Sequence, residues 1–314
     1  MNLLLEEQIG TSVSIKNILF ATDFSEVSEA ALPYATALSL RYGSVVHVAH
    51  VLPEVTFLRP GAPDPAVMGS IYEDAHSGAQ EKMQQLADRL RGFPHQTYVR
   101  HGKPYEVLAE IIREQDVDLL VVGTHGRTGL GKLVMGSVAE AILRQAPCPV
   151  LTVGPKVASI AKVAEARRNR DVPPAPIAIR QILSTTNFEQ ASLAGTSYAI
   201  SLAREFRARL ALLHVIEQYD DQLHERPGPI EIALRKLESL VPAQADLSYP
   251  PEALVEYGSP AEVILQTAAQ RETELIVLGV RPAEGHVGAA THLGGAVAHK
   301  VIVGAHCPVL TVRG

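Results

Sequence analysis

The sequence predicts an α/β protein built as two tandem, doubly wound domains, each a five-stranded parallel sheet with helices on both faces. Three observations carry that expectation. The chain has 314 residues, about twice the length of an average domain. It also repeats itself: "NILFATDFSEVSEAALPYATALSLRYGSVVHVAHV" from Asn17 aligns without a gap on "QILSTTNFEQASLAGTSYAISLAREFRARLALLHV" from Gln181, at an offset of 164. The match resumes at an offset of 156 from His101 and Tyr257, and at 159 from Ala146 and Ala305. The second copy therefore drops eight residues in mid-domain and gains three near its end. A period this long marks duplicated domains rather than a solenoid of short units. Finally, short β-branched runs alternate in each copy with longer segments of helical period, the pattern of right-handed crossovers and a parallel sheet.

In chain order, the first copy opens on the strand "NILFAT", followed by a helix over residues 25–42. Pro33 falls inside that helix, where its missing N–H and its ring predict a kink. Next come the strand "SVVHVAHV", a helix over 68–90, the strand "QTYVR", a helix over 104–115, the strand "DLLVVG", a helix over 133–145 and the strand "PVLTV". Residues 1–154 and 177–314 form the two domains, and 155–176 join them. From Gly154 to Arg180 the connection carries six Lys or Arg against two acidic residues, with prolines near its end. It reads as a solvated tether or as a basic docking segment.

Composition narrows the function. The chain is 46% hydrophobic and 20% charged, contains no Trp, and carries a net charge of −6. Few aromatics and a negative balance disfavour a nucleic-acid partner, which needs stacking platforms and cations for the phosphate backbone. The first ten residues lack a basic leader and turn acidic at Glu6, a poor secretory signal. No apolar run reaches the roughly 18 residues that span a bilayer, so a cytoplasmic protein with no membrane partner is expected. Two cysteines, Cys148 and Cys307, stand at equivalent places before the last strand of each copy. Sparse use fits a reducing compartment, with small buried hydrophobes or redox sensors as the two readings. His47 and His50 lie three apart in a strand and point to opposite faces, against a ligand pair. His292, His299 and His306 are spaced by seven without a carboxylate or cysteine cluster, so no metal site is expected.

The stretch "VVGTHGRTGLGKLVMGSVAEAIL" begins as a strand and ends as a helix. In open α/β sheets ligands bind beyond the carboxyl ends of the strands, where a helix N-terminus offers unpaired N–H groups to an anion. Glycines there let the backbone approach a phosphate, and the Ser137 hydroxyl can cap the helix or donate to phosphate oxygen. Two familiar phosphate motifs fail. "GRTGLGKL" carries Leu133 where a P-loop needs Ser or Thr for Mg²⁺, and Val134 takes the third glycine's place in a dinucleotide pattern.

The spacing Gly123, two residues, Gly126, nine residues, Gly136-Ser137, together with "ILFATDFSE", resembles the universal stress protein family of the UspA type, in its ATP-binding subgroup. The likeness covers nearly the whole chain in two copies. It implies a Rossmann-like fold and an adenine nucleotide at the strand ends, with Mg²⁺ or Mn²⁺ carried on the phosphates. Asp23 would meet the adenosine end and Val51 would contact adenine through its backbone. Gly123, Gly126, Gly136 and Ser137 would cradle ribose and phosphates. His125 and Arg127, inside the same turn, are added to the expected set, with an exposed loop histidine as the other reading of His125. A carboxylate past a strand end also suits Asp23 as a hydrogen-bond acceptor for a base amino group or ribose hydroxyl, or as a helix cap. By the same resemblance the two "CPVLTV" strands would pair and make one chain a pseudo-dimer, leaving other faces for association between chains and for an unnamed protein partner.

The second copy serves as an internal control. There Asn187 replaces Asp23, Pro282 replaces Gly126, and Ala296 replaces Ser137, in a turn three residues longer. Pro282 has no N–H to offer and a fixed φ. One ATP per chain, held by the first domain, is therefore expected. The functional reading is a stress-response module that binds ATP and acts through the bound state. A slow ATPase is the alternative, although residues 123–137 contain no acidic residue to help hold a metal. A nucleotide-independent scaffold is the third.

Overall fold

The computed structural model describes residues 13–53, 65–124, 135–159, 177–217, 228–281 and 297–314. The first repeat runs β1 (Asn17–Ala21), α1 (Glu26–Glu29), α2 (Leu32–Tyr42), β2 (Val45–Leu52), α3 (Pro65–Arg89), β3 (His95–His101), α4 (Pro104–Glu114), β4 (Leu119–Gly123), α5 (Ser137–Gln145) and β5 (Val150–Val153). The second runs β6 (Gln181–Thr185), α6 (Gln190–Phe206), β7 (Arg209–Ile216), α7 (Pro229–Ser239), β8 (Glu252–Tyr257), α8 (Pro260–Gln270), β9 (Leu275–Val280), α9 (Val297–Gly304) and β10 (Val309–Arg313).

These ten strands form one sheet in the order β3-β2-β1-β4-β5-β10-β9-β6-β7-β8. Among the described residues pairing is parallel within each repeat and antiparallel only at the seam, where Val150, Leu151 and Thr152 face Thr311, Leu310 and Val309. The seam is reciprocal: Thr152 donates its hydroxyl to the Val309 carbonyl at 3.0 Å, and Thr311 donates to the Val150 carbonyl at 3.2 Å. Both threonines are buried. Two strands that would each end a sheet thus cover one another, which removes two apolar edges.

Period-2 alternation assigns the strand residues to two faces. On one face Ile18, Phe20, Val46, Val48, Val121 and Leu151 join Ile182, Leu210, Leu212, Val277 and Leu310 in a single core that crosses the seam. On the other, Leu19, Ala49, Leu120 and Val122 pack with Val107, Leu108, Ile111 and Ile112 of α4. Leu183, Leu213, Ile276 and Leu278 do the same with Ala261 and Ile264 of α8, and Met135 and Ala139 reach across from the first repeat into that cluster.

Three local departures from the sequence reading have physical causes. The helix expected over 25–42 is two helices, broken between Glu29 and Leu32. Pro33 has no N–H, and its ring would strike the carbonyl of residue 29, four positions back. Its counterpart is Ser197, and there α6 runs unbroken. Helix α3 starts at Pro65 rather than near 68, since proline suits a first helical turn. The connection is not solvated from its start: residues 155–159 are helical, Val157 and Ala158 are buried, and the Lys156 ammonium donates to the Gly304 carbonyl at 2.8 Å. Among the described residues no helix is long and apolar enough to cross a membrane.

Each seam hydroxyl adds one neutral, buried hydrogen bond, worth about 0.5–1.5 kcal/mol. Thr152→Val and Thr311→Val should each lower unfolding stability by about that amount, read from urea denaturation. The double variant should bring the two repeats closer to independent unfolding. An unchanged urea midpoint in the double variant would mean that the seam is held by its backbone and core alone.

Candidate functional site

Strand order reverses between β1 and β4 in the first repeat and between β6 and β9 in the second. These are the switch points beyond which open α/β sheets bind ligands. At the first, β1 runs out into Thr22 and Asp23, and β4 into Gly123 and Thr124. The Thr22 N–H bonds the Ala49 carbonyl and the Thr124 N–H bonds the Val153 carbonyl, so both chain ends are held by the neighbouring strand.

The turn after β1 is built on Thr22. Its hydroxyl accepts from the Phe24 N–H at 2.9 Å and lies 3.0 Å from the Ser28 hydroxyl. This fixes Phe24 at φ 59°, a left-handed conformation uncommon for an aromatic residue. The Phe24 ring packs against His50 with centroids 4.4 Å apart, beneath the Lys82 ammonium at 5.8 Å. His50 in turn places Nδ1 2.8 Å from the Thr22 carbonyl. The second repeat reproduces the whole frame. Phe188 stands at φ 64°, its N–H bonds the Thr186 hydroxyl at 2.9 Å, and its ring packs on His214 at 4.5 Å beneath Lys236 at 5.2 Å. The frame therefore belongs to the fold, and differences between the repeats must lie in what it presents.

It presents different charges. Asp23, half-buried, accepts the Ser25 N–H through Oδ1 at 3.0 Å. The cap of α1 is Ser25, whose side chain accepts from the Ser28 N–H, so the capping alternative for Asp23 is excluded. Asn187 repeats the turn by accepting from the Glu189 N–H at 3.1 Å. Glu189 now stands where the first repeat has Ser25, and its carboxylate takes a fork from Arg281, with Nε at 3.0 Å and Nη2 at 2.6 Å. Arg281 stands in line with His125. The Arg281 guanidinium thus pairs with a carboxylate just past β6 and holds it below its ordinary range.

On the β4 side, Gly136 is the N-cap of α5, at φ −66° and ψ 147°, and its N–H donates to the Thr124 carbonyl at 2.9 Å. Ser137 is the first helical residue, exposed, and not the cap. A glycine cap has no side chain to take the first-turn N–H groups of the helix, and no side-chain cap bond is made there. Gly123 has a separate reason to be glycine. A Cβ there would lie 2.9 Å from the Ser28 nitrogen and 3.0 Å from the Val27 carbonyl carbon, inside α1. At the equivalent Gly279 the Cβ would lie 1.9 Å from the Ala191 carbonyl oxygen. Close helix packing thus accounts for this glycine in both repeats. Val51, half-buried, lies near the end of β2. Gly126, His125 and Arg127 fall outside the described residues, as do Pro282 and Ala296.

Other candidates are accounted for. His47 lies between Tyr98 and Asn17, at 3.1 and 3.2 Å, and burial lowers its pKa. His50 faces the Thr22 carbonyl instead, so the two histidines share no ligand position. Cys148 and Cys307 are free and buried, and burial pushes both thiols up to about 12. At neutral pH neither supplies the thiolate that redox chemistry requires.

The family model described as the universal stress protein family matches residues 14–154 and 178–313. The chain belongs to the universal stress protein family. One universal stress protein of Methanocaldococcus jannaschii is 30% identical over 139 residues, which is 44% of this chain and 81% of that protein. A second from the same organism is 30% identical over 156 residues, 45% of this chain and 96% of its own. The crystal structure of a universal stress protein from Archaeoglobus fulgidus covers 95% of this chain and 98% of its own, with a TM-score of 0.68 at 19% identity. That likeness is one of fold: a universal stress protein fold built twice in one chain.

Sequence reasoning passed over Thr22, Phe24 and Lys82, and weighed His50 only as a metal ligand. The signal was present, because the repeat alignment keeps Thr, Phe and His at 22, 24 and 50 and again at 186, 188 and 214. Gly123→Ala should cost about 1–3 kcal/mol through overpacking against α1, whereas Gly136→Ala, at an ordinary φ, should cost under about 1 kcal/mol. Denaturant unfolding of the two variants checks the contrast, and equal losses would refute the packing assignment.

Proposed function

We propose that the chain binds an adenine nucleotide, ATP with Mg²⁺ or Mn²⁺ carried on its phosphates, in the crevice of the first repeat. In this reading it serves as a nucleotide-dependent regulatory or protective module of the stress response in the cytoplasm. The observation that carries the reading is the glycine-capped N-terminus of α5, tied at 2.9 Å to the carbonyl just past β4, at the switch point. The donor set suits a nucleotide. Asp23 would accept from the base or ribose, the Val51 backbone would face the adenine, and the first-turn N–H groups of α5 with the Ser137 hydroxyl would hold phosphate oxygens. Gly126, His125 and Arg127 belong to the same expected set.

The metal-bound triphosphate supplies the negative charge that these donors recognise. The chain's own contribution is to bind and orient it, through fixed N–H groups that cost no reorganisation. The second repeat would not bind nucleotide: Pro282 has no N–H to offer in the place of Gly126, Ala296 lacks the Ser137 hydroxyl, and the Arg281 guanidinium is already engaged by Glu189. That repeat would then provide the partner-facing or structural half.

Ser137→Ala removes a hydrogen bond to a charged group, worth about 1.5–3 kcal/mol, or roughly 10- to 100-fold in affinity. Gly136→Val blocks close approach of the cap to the phosphates and should weaken binding at least as much. Calorimetric titration of ATP into both variants, with circular dichroism to confirm that they fold, tests the assignment. Wild-type affinity in Gly136→Val would displace the phosphate site from α5.

A further inference from the structure

A histidine pair lies at the rim of this crevice, outside the set assigned to nucleotide. His76 of α3 places Nδ1 2.9 Å from Nε2 of His101, the last residue of β3. The ring planes are tilted by only 19° with centroids 5.0 Å apart. Gln80, one turn further along α3, reaches the other nitrogen of His76 at 2.9 Å, and Tyr72, one turn back, stacks on His101 at 4.6 Å. Among the described residues the chain of contacts ends there, because the second nitrogen of His101, Nδ1, is buried without a hydrogen-bond partner.

An N–H···N bond between two imidazoles needs one donor and one acceptor. The pair holds while at least one facing nitrogen keeps its lone pair, and a second proton sets two N–H groups against each other. Among the described residues no carboxylate bonds either ring to stabilise that second charge. From α3 the titratable groups facing His101 are Tyr72 and His76. On β3 itself, Arg100 turns away to Glu114 of α4 at 2.6 Å, and Lys103 beyond the strand pairs with Glu106 at 2.9 Å. Burial first, and His76 second, hold the His101 pKa below its ordinary 6.5. The pair's contribution is therefore complete above about pH 6.5 and is lost as pH falls through the lowered value.

The pair joins two walls of the proposed nucleotide site. His101 pairs in register with Leu52, next to Val51, and the Gly102 N–H donates to the Leu52 carbonyl at 3.0 Å. Helix α3 packs on β2 and β3, carries Lys82 over the Phe24 ring beside Asp23, and ties Arg89 to Glu29 of α1. A shift of α3 is therefore transmitted to the turn that presents Asp23. The second repeat lacks the pair. His101 aligns with Tyr257, and counting back from the equivalent Lys82 and Lys236 puts Ile230 in the place of His76.

We propose that His76 and His101 form a proton-sensitive latch that fastens α3 to the end of β3, so that acidification loosens the rim of the first repeat's crevice and weakens nucleotide binding. The affinity part rests on the nucleotide reading given above; the latch itself does not. The test uses the full-length chain with labelled histidines, followed by NMR from about pH 8 to about pH 5. His101 should take up its proton below its ordinary range, and that step should move backbone amides of α3. His76→Gln, which can still bond His101 but cannot titrate, should keep those amides still.

ATP titrated at about pH 7.5 and about pH 5.5 should lose severalfold more affinity in the wild type than in His76→Gln, because only the wild-type pair takes up the proton that breaks the latch. Titration of the ATP phosphates is common to both proteins and cancels in that comparison. Independent ring titrations with α3 unmoved would overturn the latch whatever ATP does. A moving α3 with equal affinity losses would overturn its link to the site. If ATP bound at neither pH, the nucleotide reading would fall together with the link, while the ring titrations would still decide the latch.

Discussion

The antiparallel pairing of β5 with β10 is the constraint on which the molecule depends. A five-stranded parallel sheet ending in "PVLTV" exposes an apolar edge with unpaired N–H and C=O groups, a template for unwanted association. Duplication within one chain supplies a matching edge. The Leu151–Leu310 register and the two reciprocal threonine bonds close it. One consequence is a shared core: residues of both repeats meet in a single cluster on one face, and the first repeat packs Met135, just before α5, and Ala139, within it, into the second. The helix proposed to receive phosphate is thus also a helix of the interface.

Much of this was legible because duplication supplies its own alignment. The strands were readable as short β-branched runs, and the order of elements followed from their alternation with helical segments. What the sequence obscured was finer. Pro33 announced a disturbance, but only the clash with the carbonyl four residues back explains why the helix divides rather than bends. Ser137 looked like a cap because serine favours that position, yet glycine took it, leaving the hydroxyl one residue inside the helix. Gly123 looked like a phosphate residue because it ends a strand before a glycine-rich turn. Its need for a hydrogen side chain comes from α1, which lies far from it in sequence and could not be read locally.

Comparison of the two repeats separates frame from function. Thr22, Phe24, His50 and Lys82 recur with nearly the same distances at Thr186, Phe188, His214 and Lys236. A frame kept in both repeats does not distinguish a binding half from a non-binding one. The differences lie in the turn after the first strand of each repeat: Asp23 against Asn187, Ser25 against Glu189, and a guanidinium at Arg281 that pairs with the new carboxylate. The Glu189–Arg281 pair is largely exposed, so it adds little to stability. Its effect is local: it ties Arg281 to the turn after β6, where the first repeat has the Ser25 hydroxyl capping α1.

The central claim is this asymmetry, one nucleotide in a molecule with two crevices. Its most direct measurement is the stoichiometry of ATP bound to the intact chain, by equilibrium titration to saturation together with chromatography of nucleotide released from denatured protein. The account predicts one equivalent per chain, weakened by changes at the N-terminus of α5. Two equivalents in the wild-type chain, or none, would contradict it.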